Sequence, residues 1–166
     1  EETYATDISS IETINREILA LAVKVSKRMR ENNFHALTIT LKARDGRFKT
    51  FTRSKTFKDP FQDHRTVYKE AVSLFPSERR GPWRLLGVTV SNLVPDSMAW
   101  RRVSLFDKPK KTELMNDLDK TMDAVNQRFG SGSLLPASLL EGRPQTVREV
   151  KPDFGEPQDP DEATKK

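Results

Sequence analysis

From Leu37 to Arg44 apolar and polar residues alternate without a break, Leu-Thr-Ile-Thr-Leu-Lys-Ala-Arg, and Asp45-Gly46 follows at once. A strict period of two places one parity on each side of a strand and predicts a strand buried on one face only. Asp-Gly is a strong signal for a tight hairpin turn. A return strand is therefore expected over about 47–57, rich in Thr and Phe, and Asp59-Pro60 should end it.

The flanking segments carry a different period. Ile11, Ile14, Ile18, Leu21, Ala22, Val25 and Met29 recur mostly at steps of three and four, an apolar stripe on a helix of about six turns. Ser9 or Ser10 is a candidate cap, Glu12 suits the positive end of the dipole, and Lys24, Lys27, Arg28 and Arg30 suit the other end. A short strand over residues 1–7 precedes it. A second helix is expected at about 63–75, with Asp63 as its cap and Val67, Ala71, Leu74 and Phe75 as its stripe. Residues 83–93 read as a last strand closed by Pro95, and a third helix spans about 111–129. Its stripe is Leu114, Leu118, Met122, Val125 and Phe129, with Gly130 as its stop.

The order strand, helix, strand, strand, helix, strand predicts an α+β fold, a ferredoxin-like split βαββαβ sheet with both helices on one face. The extra C-terminal helix and a tail follow it. Residues 141–166 hold Pro144, Pro152, Pro157 and Pro160 among clustered acids and are expected to be disordered.

One face of such a sheet stays open, and parity says what it carries. Thr38, Thr40, Lys42 and Arg44 point away from the helices, and so do Thr50, Thr52, Ser54 and Thr56 of the return strand. Leu85, Gly87, Thr89 and Ser91 complete the face, with Arg84 at the start of its strand. Arg53 and Lys55 fall on the inward parity with Phe51 and Phe57. A bulge, or long side chains reaching round to water, would reconcile them. Between residues 42 and 58 seven cations (Lys42, Arg44, Arg47, Lys49, Arg53, Lys55, Lys58) meet one acid, Asp45. Hydroxyls allow a phosphate backbone close to the strand, and the cations neutralise it.

Charge agrees with that reading. Residues 1–110 carry 21 Lys/Arg against 13 Asp/Glu, whereas residues 111–166 carry 8 against 11. A basic body suits a polyanionic partner. With 35% apolar and 32% charged residues, a modest core is expected. There is no cysteine, so disulfides and thiolate zinc sites are excluded. No apolar run approaches the ~18 residues that span a bilayer. His35 and His64 have no His or Cys partner at metal spacing and read as surface or boundary residues. Asp117, Asp119 and Asp123 read as a solvated helix face. No Walker loop, dinucleotide turn or Ser/His/Asp pattern is present, and no catalytic residue is assigned. The first residue is Glu1 rather than methionine, so a fragment of a longer chain is expected.

Several of these segments resemble the little finger (polymerase-associated) domain of Y-family translesion DNA polymerases, in particular the bacterial DNA polymerase IV group. The likeness runs over about residues 1–140. It rests on Glu1-Glu2-Thr3-Tyr4 with Asp7-Ile8, on LAVKVSKRMRENN, on LTITLKARDGRFKTFTRSKT, on WRLLGVTVSNL, on RVSLFD, on LDKTMDAVNQRFG and on the later ASLL. The resemblance implies that residues 1–107 are a DNA-binding domain, 108–140 a helical extension and 141–166 a tail. It implies a sheet lying in the major groove of a primer–template duplex, holding double-stranded DNA through Thr52, Arg53, Ser54, Lys55, Thr56, Arg84 and Thr89. To these parity adds Lys42 and Arg44. Magnesium belongs to the full-length polymerase and to its palm, not to this fragment, which would not polymerise alone. The expected setting is a monomer in the cytoplasm, on the bacterial nucleoid. Val103-Ser104-Leu105-Phe106 resembles the sliding-clamp-binding pentapeptide of bacterial polymerases, with Arg102 where glutamine is usual. The alternative function is accordingly a module docking the sliding clamp.

Overall fold

The computed structural model describes residues 1–76, 81–99 and 111–140, and the side chains from 116 onward in the last of these. The elements run in the expected order: β1 (Glu2–Ile8), α1 (Ile11–Glu31), β2 (Phe34–Asp45), β3 (Thr50–Phe61), α2 (His64–Leu74), β4 (Trp83–Pro95) and α3 (Lys111–Phe129). Single 3₁₀ turns lie at Asp96–Met98 and Ala137–Leu139. The segment Val103–Phe106 and the tail 141–166 lie outside the described residues.

The four strands form one antiparallel sheet in the order β1-β4-β2-β3. Each βαβ crossover skips one position. β4 fills the gap between β1 and β2, and β2 fills the gap between β3 and β4. This is the split α+β arrangement expected from the sequence. β2 and β4 are the inner strands, while β1 and β3 form the edges.

α1 and α2 cover one face. Ile14, Ile18, Leu21, Ala22, Val67 and Ala71 from the helices meet Ile39, Leu41, Ala43, Leu86 and Val88 from the sheet. Trp83 closes the end of this core, edge-on to Phe51 and Phe75 with ring centroids 5.8 and 5.1 Å away. Ile11 begins the α1 stripe but is exposed, since it precedes the first turn that reaches the sheet. Ser10 occupies the N-cap of α1 without a side-chain cap, whereas Asp63 caps α2, its carboxylate accepting from Thr66 N–H at 2.8 Å.

β3 does not stop at Asp59-Pro60. It continues to Phe61 because a bulge absorbs the proline: Ala36 faces Phe61 and Thr38 faces Thr56, so four residues of β3 lie opposite Leu37. A bulged edge strand has no ladder bond to lose at Pro60.

The third helix is seated differently from its apolar stripe. Met122 is buried, but Leu118 and Phe129 are exposed, and Asp119 is buried to 1% exposure. A buried salt-bridge network holds it instead. Arg30, near the end of α1, donates to both oxygens of Asp123 (2.5 and 3.0 Å) and to Asp119 (3.0 Å). Asp119 also binds His64. Neither acid lies on a solvated face, and His64 is buried, because Arg30 and the first turn of α2 supply the partners that burial of a carboxylate demands. Beyond Gly130, whose φ of 99° ends α3, Leu139 returns to pack on Leu19 and Ala20 of α1.

Candidate nucleic-acid interface

The uncovered face of the sheet is a ladder of short side chains. Residues directly opposite one another in an antiparallel pair share a face. The registers therefore give four rows across β4, β2 and β3: Ser91-Thr38-Thr56, Thr89-Thr40-Ser54, Gly87-Lys42-Thr52 and Leu85-Arg44-Thr50. Ten of these twelve positions are Thr, Ser, Lys or Arg, and Gly87 is an eleventh with no side chain. Leu85 is buried. Parity had placed all twelve on this face.

Hydroxyls pair across the strands. Thr38 and Thr56 are 2.9 Å apart, as are Thr40 and Ser54, and Asn92 Nδ2 donates to Thr38 Oγ1 at 2.9 Å. In each hydroxyl pair one O–H donates to the other oxygen, which leaves the second O–H able to donate outward. Arg44 Nε donates to Thr50 Oγ1 at 2.9 Å, which aligns the guanidinium along its row. Lys42 Nζ reaches Glu1 at 2.8 Å. That ammonium, by hydrogen bond and by charge, holds the Glu1 carboxyl below the usual carboxylate range. Gly87 makes this approach possible, since a Cβ there would lie 2.8 Å from Glu1 Cβ.

Arg53 and Lys55 stand on the other face. Arg53 is opposite Leu41 and Lys55 opposite Ile39, both core residues. They stay exposed because β3 is the edge strand. Lys55 lies over the Phe57 ring, 5.0 Å from its centroid, and its Nζ meets Glu70 of α2 at 2.6 Å. No bulge intervenes at these two positions: on the edge strand the long side chains reach out from the inward parity and stay exposed.

Arg84 is the extra residue of a bulge in β4. Arg44 faces Leu85 and Asp45 faces Trp83, which leaves Arg84 unopposed. Its guanidinium lies over the ring of Phe48, 5.3 Å from the centroid. Bulges re-aim side chains in this way. Thus Lys42, Arg44, Thr52, Ser54, Thr56 and Thr89 share the open face, Arg53 and Lys55 flank the β3 edge from the other side, and Arg84 sits at the end of the sheet beside the hairpin. Phe48 was not singled out from the sequence. The available signal was an aromatic between two cations, Arg47 and Lys49, just past the Asp-Gly turn.

Among the described residues no group of three or more His, Cys, Asp and Glu side chains could hold a metal ion. The acids that do cluster, Asp119 and Asp123, already receive Arg30 and His64, so they do not suit magnesium. No described helix is long and apolar enough to cross a membrane.

Residues 1–103 match the impB/mucB/samB family C-terminal domain. DNA polymerase IV of Desulfatibacillum aliphaticivorans is 34% identical over 142 residues, covering 84% of this chain and 36% of that protein. DNA polymerase IV of Clostridium acetobutylicum is 29% identical over 143 residues, 85% of this chain and 35% of that protein. DNA polymerase IV 1 of Bacillus subtilis is 29% identical over 142 residues, 84% and 34% respectively. The chain therefore spans about a third of the length of the curated relatives it matches.

Proposed function

The chain belongs to the impB/mucB/samB family C-terminal domain, the little finger of the bacterial DNA polymerase IV group, and from that premise we propose that its open sheet face grips the backbone of a primer–template DNA duplex during lesion bypass. The observation that carries this reading is the ladder itself: rows of Thr and Ser on an uncovered sheet, with Lys42 and Arg44 in line with them.

The physics favours backbone over bases. Short hydroxyls donate to phosphate oxygens without reaching far into a groove, and they carry little sequence information. Lys42 and Arg44 supply charge on the same face. Arg53 and Lys55 join them if one DNA strand runs along the edge of β3. A sheet edge presents main-chain N–H groups, and a backbone following it meets Thr52, Ser54 and Thr56 on one side and Arg53 and Lys55 on the other. Arg84 extends the cationic rim past the end of the sheet. The chain's own residues thus hold and orient DNA. In the parent polymerase, magnesium and the bond-forming chemistry belong to the palm.

Fluorescence anisotropy of this chain with a labelled primer–template duplex, titrated across salt, tests the proposal. Four to six phosphate contacts should give a log–log slope of about −4 to −5, with affinity on the order of 10⁻⁴ to 10⁻⁶ M and no preference among sequences. Absence of binding at low salt would overturn it. Binding to a sliding clamp in its place, with little salt dependence, would favour the docking function through Val103, Ser104, Leu105 and Phe106.

A further inference from the structure

The turn between β2 and β3 contains a local conflict. Phe48 N–H donates to Asp45 C=O at 3.0 Å, and Asp45 N–H donates to Lys49 C=O at 3.0 Å. Three residues, Gly46, Arg47 and Phe48, therefore bridge the strands. In such a loop the third residue takes a left-handed conformation, which suits Gly or Asn because a larger side chain crowds the backbone there. Here that residue is Phe48, with φ of 63°. The glycine stands two positions earlier. A Cβ on Gly46 would lie 2.5 Å from an Asp7 carboxylate oxygen, a side-chain end that can turn aside.

Burial does not compensate Phe48 for this conformation. Its side chain is among the most exposed large apolar groups of the described residues, at 65%. Neither turn preference nor packing accounts for a phenylalanine at this point. What surrounds it is charge: Arg47 and Lys49 on either side in sequence, and the Arg84 guanidinium over its ring. A bulky residue in a sparsely populated conformation, held open to solvent beside cations, is an outlier that points to a contact.

We propose that Phe48 is a stacking residue for nucleic acid, its ring lying on an unpaired base of the single strand where that strand leaves the duplex held by the sheet. This rests on the reading of the open face as a DNA grip. Bases inside a duplex are already stacked on both sides, so an aromatic ring enters only by prising them apart. An unpaired base offers a free face to any exposed ring, whatever its identity. Arg84, already stacked near the ring, together with Arg47 and Lys49, neutralises the phosphates on either side.

The test compares the wild-type chain with Phe48→Asn, Phe48→Leu and Phe48→Tyr by anisotropy. The probes are a blunt duplex, the same duplex with a 5′ overhang, and a single strand, with thermal unfolding followed in parallel. Phe48→Asn should keep or raise the melting temperature, since Asn accepts the left-handed position. It should bind the blunt duplex as wild type does and bind the overhang and the single strand about tenfold more weakly. Phe48→Leu keeps bulk but loses the flat ring and should show the same selective loss. Phe48→Tyr should retain binding. Unchanged affinity of the Asn and Leu variants on all three DNAs overturns the proposal and points to contact with another protein surface. An equal loss on blunt and overhanging duplexes also overturns it, placing Phe48 on the duplex backbone. A wild-type chain that binds none of the DNAs removes the grip itself, which is a separate failure.

Discussion

Asp119 of α3 and His64 at the start of α2 are joined at both carboxylate oxygens: one is 2.7 Å from His64 Nδ1, the other accepts His64 N–H at 3.1 Å. The second oxygen also receives Arg30. One buried carboxylate therefore ties the last turn of α1 and the first turn of α2 to the middle of α3. The seat of α3 is polar where an apolar stripe had been expected.

Removing that carboxylate should be costly. Asp119→Ala leaves Arg30 with only Asp123 and opens the first turn of α2. Breaking a buried charge network from one side costs about 3 kcal/mol. Urea denaturation should show the midpoint fall, and a second probe placed on α3 should report its release.

The same group makes stability depend on acid. Burial pushes the Asp119 carboxyl up, but the His64 ring, the His64 N–H and the Arg30 charge outweigh it, and the carboxyl sits below the usual range. A carboxyl lower in the folded than in the unfolded chain stabilises fully above its unfolded value, about 4. That contribution is lost as pH falls through the folded value. Thermal unfolding from pH 6 to pH 3 should therefore fall more steeply for the wild type than for Asp119→Asn. Parallel curves would exclude Asp119 as the source.

A carboxylate placed in the ladder should repel a phosphate backbone. Ser54 faces Thr40 in the second row, is exposed, and sits on the edge strand. Ser54→Glu should weaken duplex binding about tenfold or more while changing stability by less than about 1 kcal/mol. Anisotropy and chemical denaturation on the same samples separate the two effects.

The cations beside the β3 edge provide a further check. Arg53→Ala and Lys55→Ala should weaken binding to every duplex alike and flatten the salt slope by about one unit each. Losses confined to particular sequences would contradict backbone recognition. Glu70→Ala, which releases Lys55 from its partner, should act in the opposite direction.

Much of this fold is legible one residue after another. The period of two at Leu37–Arg44, the period near 3.6 at Ile14–Met29 and the Asp63 cap depend on neighbours only a few positions away. So does the parity that put Thr52, Ser54, Thr56 and Thr89 on the open face, because alternation along a strand needs no knowledge of its partner. What depends on distant partners was not legible. Arg53 and Lys55 read as misplaced until β3 proved to be an edge, and only the order of strands makes an edge. Asp119 read as solvated because its partners Arg30 and His64 lie 89 and 55 residues away. Arg84 and Phe48 meet because a bulge in β4 and a three-residue turn bring them to the same end of the sheet. Periodicity is a property of the backbone and is written locally. Burial, edge position and charge pairing arise between segments, and exist only once those segments have packed.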